Sequence, residues 1–528
     1  QHYEYAWNSV MNNQNIQSTS LLNQDLFKAL FAFTFILLVV YFVSAFIMPE
    51  SGNHILITAA AFGAYMALNI GANDVANNVG PAVGSQAVSL VGAIIIAAVF
   101  ESAGALIAGG DVVSTIKKGI IDPATITDTD TFIWLMMAAL LAAAIWLNIA
   151  TALNAPVSTT HSIVGGVLGA GIAAGGFGVA NWPVFGKIAA SWVISPLFGG
   201  IIAASFLYLI KRTITYKEDK ISAAKRIVPL LTSLMAWAFS TYLIMKGLKK
   251  IWKLDIFVAG GIGLAIAIVI FFITVPLIKR TADKLENSKT SVNALFTVPL
   301  IFSAALLSFA HGANDVANAI GPLAAINDAV LNSGITAKAS IPIWVMLVGA
   351  LGISVGLALY GPKLIRTVGS GITELDKMRA FCVAMSAAIT VIIASQLGLP
   401  VSSTHIAVGA IFGVGFLREY LKHSNAKRIN EIRDHHENAD PEKVEELLKH
   451  YEESPLETKA KILSELKATK KTSPLTNKER KSLNKAYKQE LVKRSHLYKI
   501  ATAWIVTVPL SGLLAAFLFF TIRGFMLP

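Results

Sequence analysis

Two copies of one seven-residue motif carry the carboxylates best suited to chemistry. The motif Gly-Ala-Asn-Asp-Val-Ala-Asn occupies residues 71–77 and again residues 312–318, 241 positions later, and each copy follows an apolar run. A carboxylate is costly at membrane depth, so a repeated aspartate there indicates a function. Its amide neighbours, together with backbone carbonyls freed by a broken helix, are hard oxygen donors that suit a small alkali cation. The candidate cation ligands are Asn73, Asp74, Asn77, Asn314, Asp315 and Asn318.

Other interpretations of this motif remain open. The asparagines and aspartates could simply hydrogen-bond neighbouring helices together. Asp74 and Asp315 could also form the catalytic dyad of an intramembrane hydrolase, but that reaction gives no role to the asparagines, and no His-Glu-x-x-His metal motif is present. We therefore expect a protein that is not an enzyme.

A second repeated motif offers hydroxyl groups. Ala-Pro-Val-Ser-Thr-Thr-His at 155–161 matches Leu-Pro-Val-Ser-Ser-Thr-His at 399–405, an offset of 244 positions. A helix that starts after such a proline presents hydroxyls and unpaired N–H groups at its positive end, which favours an anion. Ordinary capping by the first serine is the alternative. The candidate anion donors are Ser158, Thr159, Thr160, Ser402, Ser403 and Thr404.

Three further ionisable residues lie near these motifs. His161 and His405 end the hydroxyl motifs, where they could donate to an anion, tune its protonation, or simply cap and pack. Glu101 is deep in an apolar span, and its counterpart in the second copy is Ile353. Glu101 is a candidate third cation ligand, a proton-linked switch or an interhelical hydrogen-bonding group. Because no Lys or Arg lies in the middle of a span, an anion held here would need co-bound cations.

Composition places most of the chain in a lipid bilayer. Hydrophobic residues make up 54% of the 528 residues and charged residues only 14%, which indicates a polytopic membrane protein. The net charge of +12 lies in loops and one late polar block, so it reflects membrane topology rather than nucleic-acid binding. A single cysteine, Cys382, excludes a disulfide framework. We predict eleven spans, near residues 26–48, 55–70, 86–109, 131–153, 184–210, 227–246, 254–278, 292–310, 341–360, 380–398 and 498–522.

The spacing of the repeats locates an insertion. Residues 187–192 match residues 499–504 at an offset of 312 positions, much larger than the offsets of the two motifs. The difference corresponds to the polar block 418–497, and its many charges predict a cytoplasmic location. The equivalent loop of the first copy is uncharged, so the two copies are predicted to have inverted topology. A lysine-rich loop that starts at Lys246 disagrees with this orientation.

These features predict an all-α polytopic membrane protein with two inverted-topology repeats, broken helices and re-entrant helical hairpins. The predicted parts are a polar N-terminal arm (1–25), an extra transmembrane helix (26–48), a first repeat (54–211) with a hairpin near 155–174, two linking transmembrane helices with cytoplasmic loops (212–290), a second repeat (291–417 plus 498–528) with a hairpin near 399–417, and a soluble helical cytoplasmic insertion (418–497).

The two repeated motifs resemble the signatures of the inorganic phosphate transporter (PiT) family, over about residues 55–420 and the last helix. This resemblance implies phosphate as the substrate, hairpins starting at Pro156 and Pro400, and a homodimer in the plasma (inner) membrane. The Gly-Ala-Asn-Asp form is similar to that of sodium-coupled members, with no other cofactor. By position, the resemblance implies that sodium binds at Asp74, Asn77, Asp315 and Asn318, and that phosphate binds the six hydroxyls.

One departure from the family pattern is Ala384, where many eukaryotic relatives carry a glutamate. We expect an importer of phosphate that is coupled to sodium by alternating access. A proton-coupled phosphate permease, or a permease for sulfate or another oxyanion with the same fold, is the alternative.

Overall fold

The structure, a computed structural model, is helical almost throughout. It describes residues 24–47, 54–122, 125–126, 128–153, 155, 157–247, 254–332, 341–371, 375–421 and 494–527, with short pieces at 446–451, 454, 462 and 483. Within these residues, eleven helices are long and apolar enough to cross a membrane, and each of the eleven predicted spans coincides with one of them. The N-terminal arm and most of the predicted insertion, with Pro156, lie outside the described residues.

The helices follow one another in this order: α1 (Gln24–Ile47), α2 (His54–Gly84), α3 (Leu90–Ala108), α4 (Gly110–Lys118), α5 (Thr129–Ala152), α6 (Thr159–Gly175), α7 (Trp182–Ile210), α8 (Lys220–Gly247), α9 (Ile256–Ala282), α10 (Lys289–Leu295), α11 (Thr297–Asn332), α12 (Ile343–Gly371), α13 (Lys377–Gln396), α14 (Ser403–Leu421) and α15 (Arg494–Met526). The four helices α4, α6, α10 and α14 are not among the eleven candidate spans.

The two cation motifs lie inside continuous helices rather than at breaks. Helix α2 runs through the first motif and Pro81, and α11 runs through the second motif and Pro322. A proline has no N–H, so the carbonyl four residues earlier loses its usual helical donor. The carbonyls released in this way belong to Asn77 and Asn318, so each proline supplies the freed oxygen that the sequence led us to expect from a break. The non-helical segments lie instead immediately before α6 and α14.

Glycines allow the central helices to touch backbone to backbone. Helix α2 packs against α12, and a Cβ added at Gly71 would lie 2.0 Å from the carbonyl oxygen of Ile353. Helix α11 packs against α3 in the matching way, and a Cβ at Gly312 would lie 2.1 Å from the carbonyl oxygen of Glu101. Small residues permit this approach, which dispersion forces then stabilise in lipid. The first residue of each cation motif is therefore required by packing.

Each short helix that follows a hydroxyl motif packs against a helix from the other half of the chain. Helix α6 contacts α15, and α14 contacts α7. Glycines again allow the close approach: a Cβ added at Gly169 would lie 2.2 Å from the Gly512 carbonyl oxygen, and one at Gly413 would lie 2.1 Å from the Gly200 carbonyl oxygen. Ser511 Oγ also donates to the Ser162 carbonyl at 2.6 Å. The two halves are thus interleaved rather than side by side.

The lysine that disagreed with the predicted orientation is paired. Lys246, at the end of α8, has a side chain only 6% exposed and forms an ion pair with Asp111 in the first turn of α4. Its charge is therefore neutralised inside the protein, so it carries less weight as a topological signal than an exposed lysine.

Candidate functional site

The centre of the molecule is a buried polar cluster where α2 and α11 meet. All six candidate cation ligands are buried, and the carboxyl groups of Asp74 and Asp315 are 0% exposed. All six candidate anion donors are buried as well. The structure therefore brings both predicted sets of residues into one interior region.

Asp315 accepts hydrogen bonds from both hydroxyl motifs, and Asp74 accepts one from the second motif. Ser403 Oγ donates to Asp315 at 2.8 Å, and Thr160 Oγ1 from the first half reaches the same carboxyl group at 3.4 Å. On the other side, Thr404 Oγ1 donates to Asp74 at 3.1 Å. The cation motif and the hydroxyl motif consequently form one site rather than two.

The last asparagine of each cation motif repeats this exchange between halves. Asn77 Nδ2 donates to Thr404 Oγ1 at 2.8 Å. Asn318 Nδ2 lies 3.2 Å from Thr160 Oγ1 and 3.3 Å from Thr159 Oγ1. Because the amide nitrogens donate to hydroxyls, the side-chain carbonyl oxygens of both asparagines are available to a cation.

The first asparagine of each motif has a different task. Asn314 Nδ2 donates to Ser395 Oγ at 3.0 Å and to the Leu399 carbonyl at 3.2 Å. Asn73 Nδ2 does the same in the first half, to Thr151 Oγ1 at 3.1 Å. Each amide ties the motif helix to the chain just before the hydroxyl motif. Asn73 and Asn314 therefore fix the position of the segment that leads into α6 or α14.

The first serine of each hydroxyl motif caps its helix, as the alternative interpretation expected. Ser158 Oγ accepts the N–H of His161 at 3.1 Å, and Ser402 Oγ accepts the N–H of His405 at 3.2 Å. A serine that accepts in this way still has its own hydroxyl hydrogen to donate. Capping and anion binding are thus compatible at both serines.

The two motif histidines pack together behind the hydroxyls. The rings of His161 and His405 meet edge to face with centroids 4.3 Å apart, and His161 lies 3.8 Å from the Trp192 ring. Trp192 Nε1 donates to the Pro400 carbonyl at 3.2 Å. These contacts correspond to the packing role and join the two hydroxyl motifs to α7.

Glu101 makes interhelical contacts, and one of its partners is a histidine that sequence analysis missed. Asn78 Nδ2 donates to Glu101 Oε1 at 2.8 Å, and His311 Nδ1 lies 3.2 Å from Glu101 Oε2. On its other edge, His311 Nε2 lies 2.8 Å from Asp315 Oδ2 and 3.6 Å from Asp74 Oδ2. Three buried carboxyl groups therefore surround one imidazole. Carboxylates that approach one another in a low dielectric repel unless protons or cations accompany them.

His311 was not predicted as a site residue because it lies just before the repeated motif rather than within it. Its equivalent in the first copy is Ile70, so comparison of the repeats gives no signal there. The available signal was a histidine inside an apolar span, four residues before Asp315 and therefore on the same helix face.

A bundle of apolar helices that encloses ionisable groups shared between its halves defines an integral membrane protein of the transporter class. The profile of the phosphate transporter family matches residues 70–515. A "Putative phosphate permease" of Helicobacter pylori (strain J99) is 54% identical over 514 residues, which cover 95% of this chain and 96% of that protein. A permease of the same name from Pyrococcus furiosus is 42% identical over 364 residues, covering 69% of this chain and 88% of the relative.

A solved structure described as the sodium-dependent phosphate transporter superposes with a TM-score of 0.73 and 31% identity, covering 90% of this chain and all of that one. The chain belongs to the phosphate transporter family. Its members are transporters, so the hydrolase interpretation is set aside.

Proposed function

We propose that the protein imports inorganic phosphate together with sodium ions by alternating access. The observation that carries this proposal is the direct contact between the two motifs, since Thr404 donates to Asp74 and Ser403 donates to Asp315. A group that binds the hydroxyls must also alter the surroundings of the aspartates. Anion binding and cation binding would therefore depend on each other.

Sodium would bind on either side of this centre. One ion would take Asp74 with the oxygens of Asn77, and the other Asp315 with the oxygens of Asn318. The carbonyls released by Pro81 and Pro322 add one backbone oxygen to each set. Asn73 and Asn314 would support these sites, and Glu101 would contribute through His311 rather than as a direct ligand.

Phosphate would bind between the starts of α6 and α14. Ser158, Thr159 and Thr160 would donate from one side and Ser402, Ser403 and Thr404 from the other, with both helix ends favouring negative charge. The present bonds from these hydroxyls to the aspartates would be exchanged for bonds to phosphate oxygens. His161 and His405 would hold the two helix starts together and tune the site.

The matching contacts of the two halves support the proposed repeats. The pair Thr404–Asp74 has its counterpart in Thr160–Asp315, and Gly71 on Ile353 has its counterpart in Gly312 on Glu101. An inverted arrangement would let α6 and α14, as re-entrant hairpins, open the site to each side of the membrane in turn. The division into repeats, linking helices and a cytoplasmic insertion, the location in the plasma membrane and a homodimer belong to the same proposal.

Uptake of labelled phosphate into proteoliposomes tests this function. An inward sodium gradient should drive accumulation, and an inside-negative potential should increase it if net positive charge enters. The potential contributes up to about 2.3 kcal/mol per charge per 100 mV. Accumulation driven by a proton gradient and indifferent to sodium would overturn sodium coupling. Equal competition by sulfate would point to a broader oxyanion permease.

A further inference from the structure

His311 occupies a position that sodium binding does not explain. Sodium prefers oxygen donors, whereas an imidazole nitrogen suits first-row transition metals and zinc. Nevertheless, Asp74, His311 and Asp315 each offer one ligand atom, these atoms all lie within 4.8 Å of one another, and all three side chains are buried. Among the described residues, this is the one group of three or more such side chains with ligand atoms so close together.

The distances suit a small divalent ion. Zinc binds imidazole nitrogen and carboxylate oxygen at about 2.0–2.2 Å, so tetrahedral ligand atoms lie roughly 3.3–3.5 Å apart. His311 Nε2 is 2.8 Å from Asp315 Oδ2 and 3.6 Å from Asp74 Oδ2, which brackets that spacing. Asp74 Oδ2 has no hydrogen-bond partner within the described residues, although it is fully buried. This oxygen therefore makes no hydrogen bond, although it lies 3.6 Å from His311 Nε2.

A carboxylate behind the imidazole supplies an independent indication. Glu101 Oε2 lies 3.2 Å from His311 Nδ1, on the ring edge that faces away from the aspartates. Asn78 in turn donates to Glu101 and fixes its orientation. Metal-binding histidines almost always donate their second N–H to a carboxylate, a backbone carbonyl or water, which fixes the tautomer and strengthens the ligand.

The other half of the protein lacks both members of this pair. By the offsets of the repeats, His311 corresponds to Ile70 and Glu101 to Ile353. Gly71 and Gly312, the residues that follow Ile70 and His311, pack on Ile353 and Glu101 in matching ways. The polar pair therefore distinguishes one side of an otherwise repeated centre.

We propose that Asp74, His311 and Asp315 form a binding site for a divalent transition-metal ion such as Zn²⁺ or Co²⁺, with Glu101 as the orienting carboxylate. The metal shares both aspartates with the proposed sodium sites, so the consequence for transport rests on the proposed function. Bound metal would block sodium-coupled uptake. The binding itself does not depend on that function.

Cobalt is the direct probe, because its visible absorption changes when protein ligands replace water. Purified full-length protein without an affinity tag would be titrated with Co²⁺ in the absence of sodium and phosphate. We expect one saturable change in absorption per chain, lost on addition of Zn²⁺. His311→Gln should weaken binding by more than about 100-fold, and Glu101→Gln should weaken it less, by about 10–100-fold. His54→Asn, at an exposed histidine, should leave binding unchanged.

Two outcomes would overturn the site: a Co²⁺ spectrum that stays that of the aqueous ion, or equal binding by the wild type and His311→Gln. A comparison of unfolding temperatures without metal shows whether His311→Gln is folded, and Zn²⁺ should raise that temperature more for the wild type than for His311→Gln. Uptake in chelated buffer tests sodium coupling separately. If phosphate uptake does not depend on sodium in that buffer while cobalt still binds, the metal site is supported and the proposed function is wrong.

Discussion

The amide of Asn77 donates a 2.8 Å hydrogen bond to the hydroxyl of Thr404, 327 positions later in the chain. One residue comes from a cation motif and the other from the hydroxyl motif of the opposite half. Movement of α14 relative to α2 must stretch or replace this bond. The same holds for Asn318 and Thr160 between α11 and α6.

Loss of this bond should impair transport. Asn77→Ala removes the amide that positions Thr404 and leaves a buried hydroxyl with one partner fewer. The loss of this hydrogen bond costs about 1–3 kcal/mol of free energy. We expect sodium-driven phosphate uptake to fall about tenfold or more in proteoliposomes. The control Asn332→Ala, at an exposed asparagine near the end of α11, should retain uptake. Similar rates for the two variants would argue against a role for the Asn77–Thr404 contact.

The aspartates should be indispensable for coupled uptake. Asp74→Asn and Asp315→Asn preserve size but each removes one buried charge that a cation needs, so sodium-driven uptake should drop to background. Asp128→Asn is the matched control, because Asp128 caps α5 through the Thr131 N–H at 2.9 Å and asparagine caps equally well. Near-normal uptake in both site variants would exclude the aspartates as cation ligands.

The glycine contacts should be sensitive to a single methyl group. Gly71→Ala and Gly312→Ala would place a Cβ about 2 Å from a carbonyl oxygen, so the helices must separate. Overpacking of this kind costs about 1–3 kcal/mol or more, and the unfolding temperature in detergent should fall. Gly186→Ala in α7 meets no atom within 4 Å and should be neutral or slightly stabilising. Equal temperatures for all three variants would contradict the close packing.

The ion pair between Lys246 and Asp111 should respond unequally to the loss of each partner. The lysine side chain is 6% exposed and the aspartate 36%. Asp111→Asn leaves a buried ammonium without its charged partner, whereas Lys246→Met leaves a carboxyl group that water can reach. The unfolding temperature should therefore fall further for Asp111→Asn. The reverse order would show that Lys246 is solvated.

Much of the architecture follows from local patterns. Apolar runs predicted the spans because length and hydropathy suffice in lipid. The paired motifs marked Asp74 and Asp315 as equivalent positions, and the structure places both within 3.6 Å of His311 Nε2. His311 was not predicted, because its significance comes from Glu101 on a neighbouring helix rather than from its own surroundings in sequence. The packing of α6 on α15 and of α14 on α7 was likewise not predicted. Many helices carry small residues that allow close packing, so the glycines alone do not identify a partner helix.

The contact of α6 with α15 constrains how the protein is made. Ser511 bonds to Ser162 across 349 positions, so α6 leaves the ribosome long before its partner exists. At about 5–20 residues per second, the interval is on the order of tens of seconds. During that time the glycine-lined face of α6 must be shielded by lipid or by the insertion machinery. Helix α15 therefore completes the packing of the first half of the protein. A chain truncated before α15 would lack the helix that supports α6.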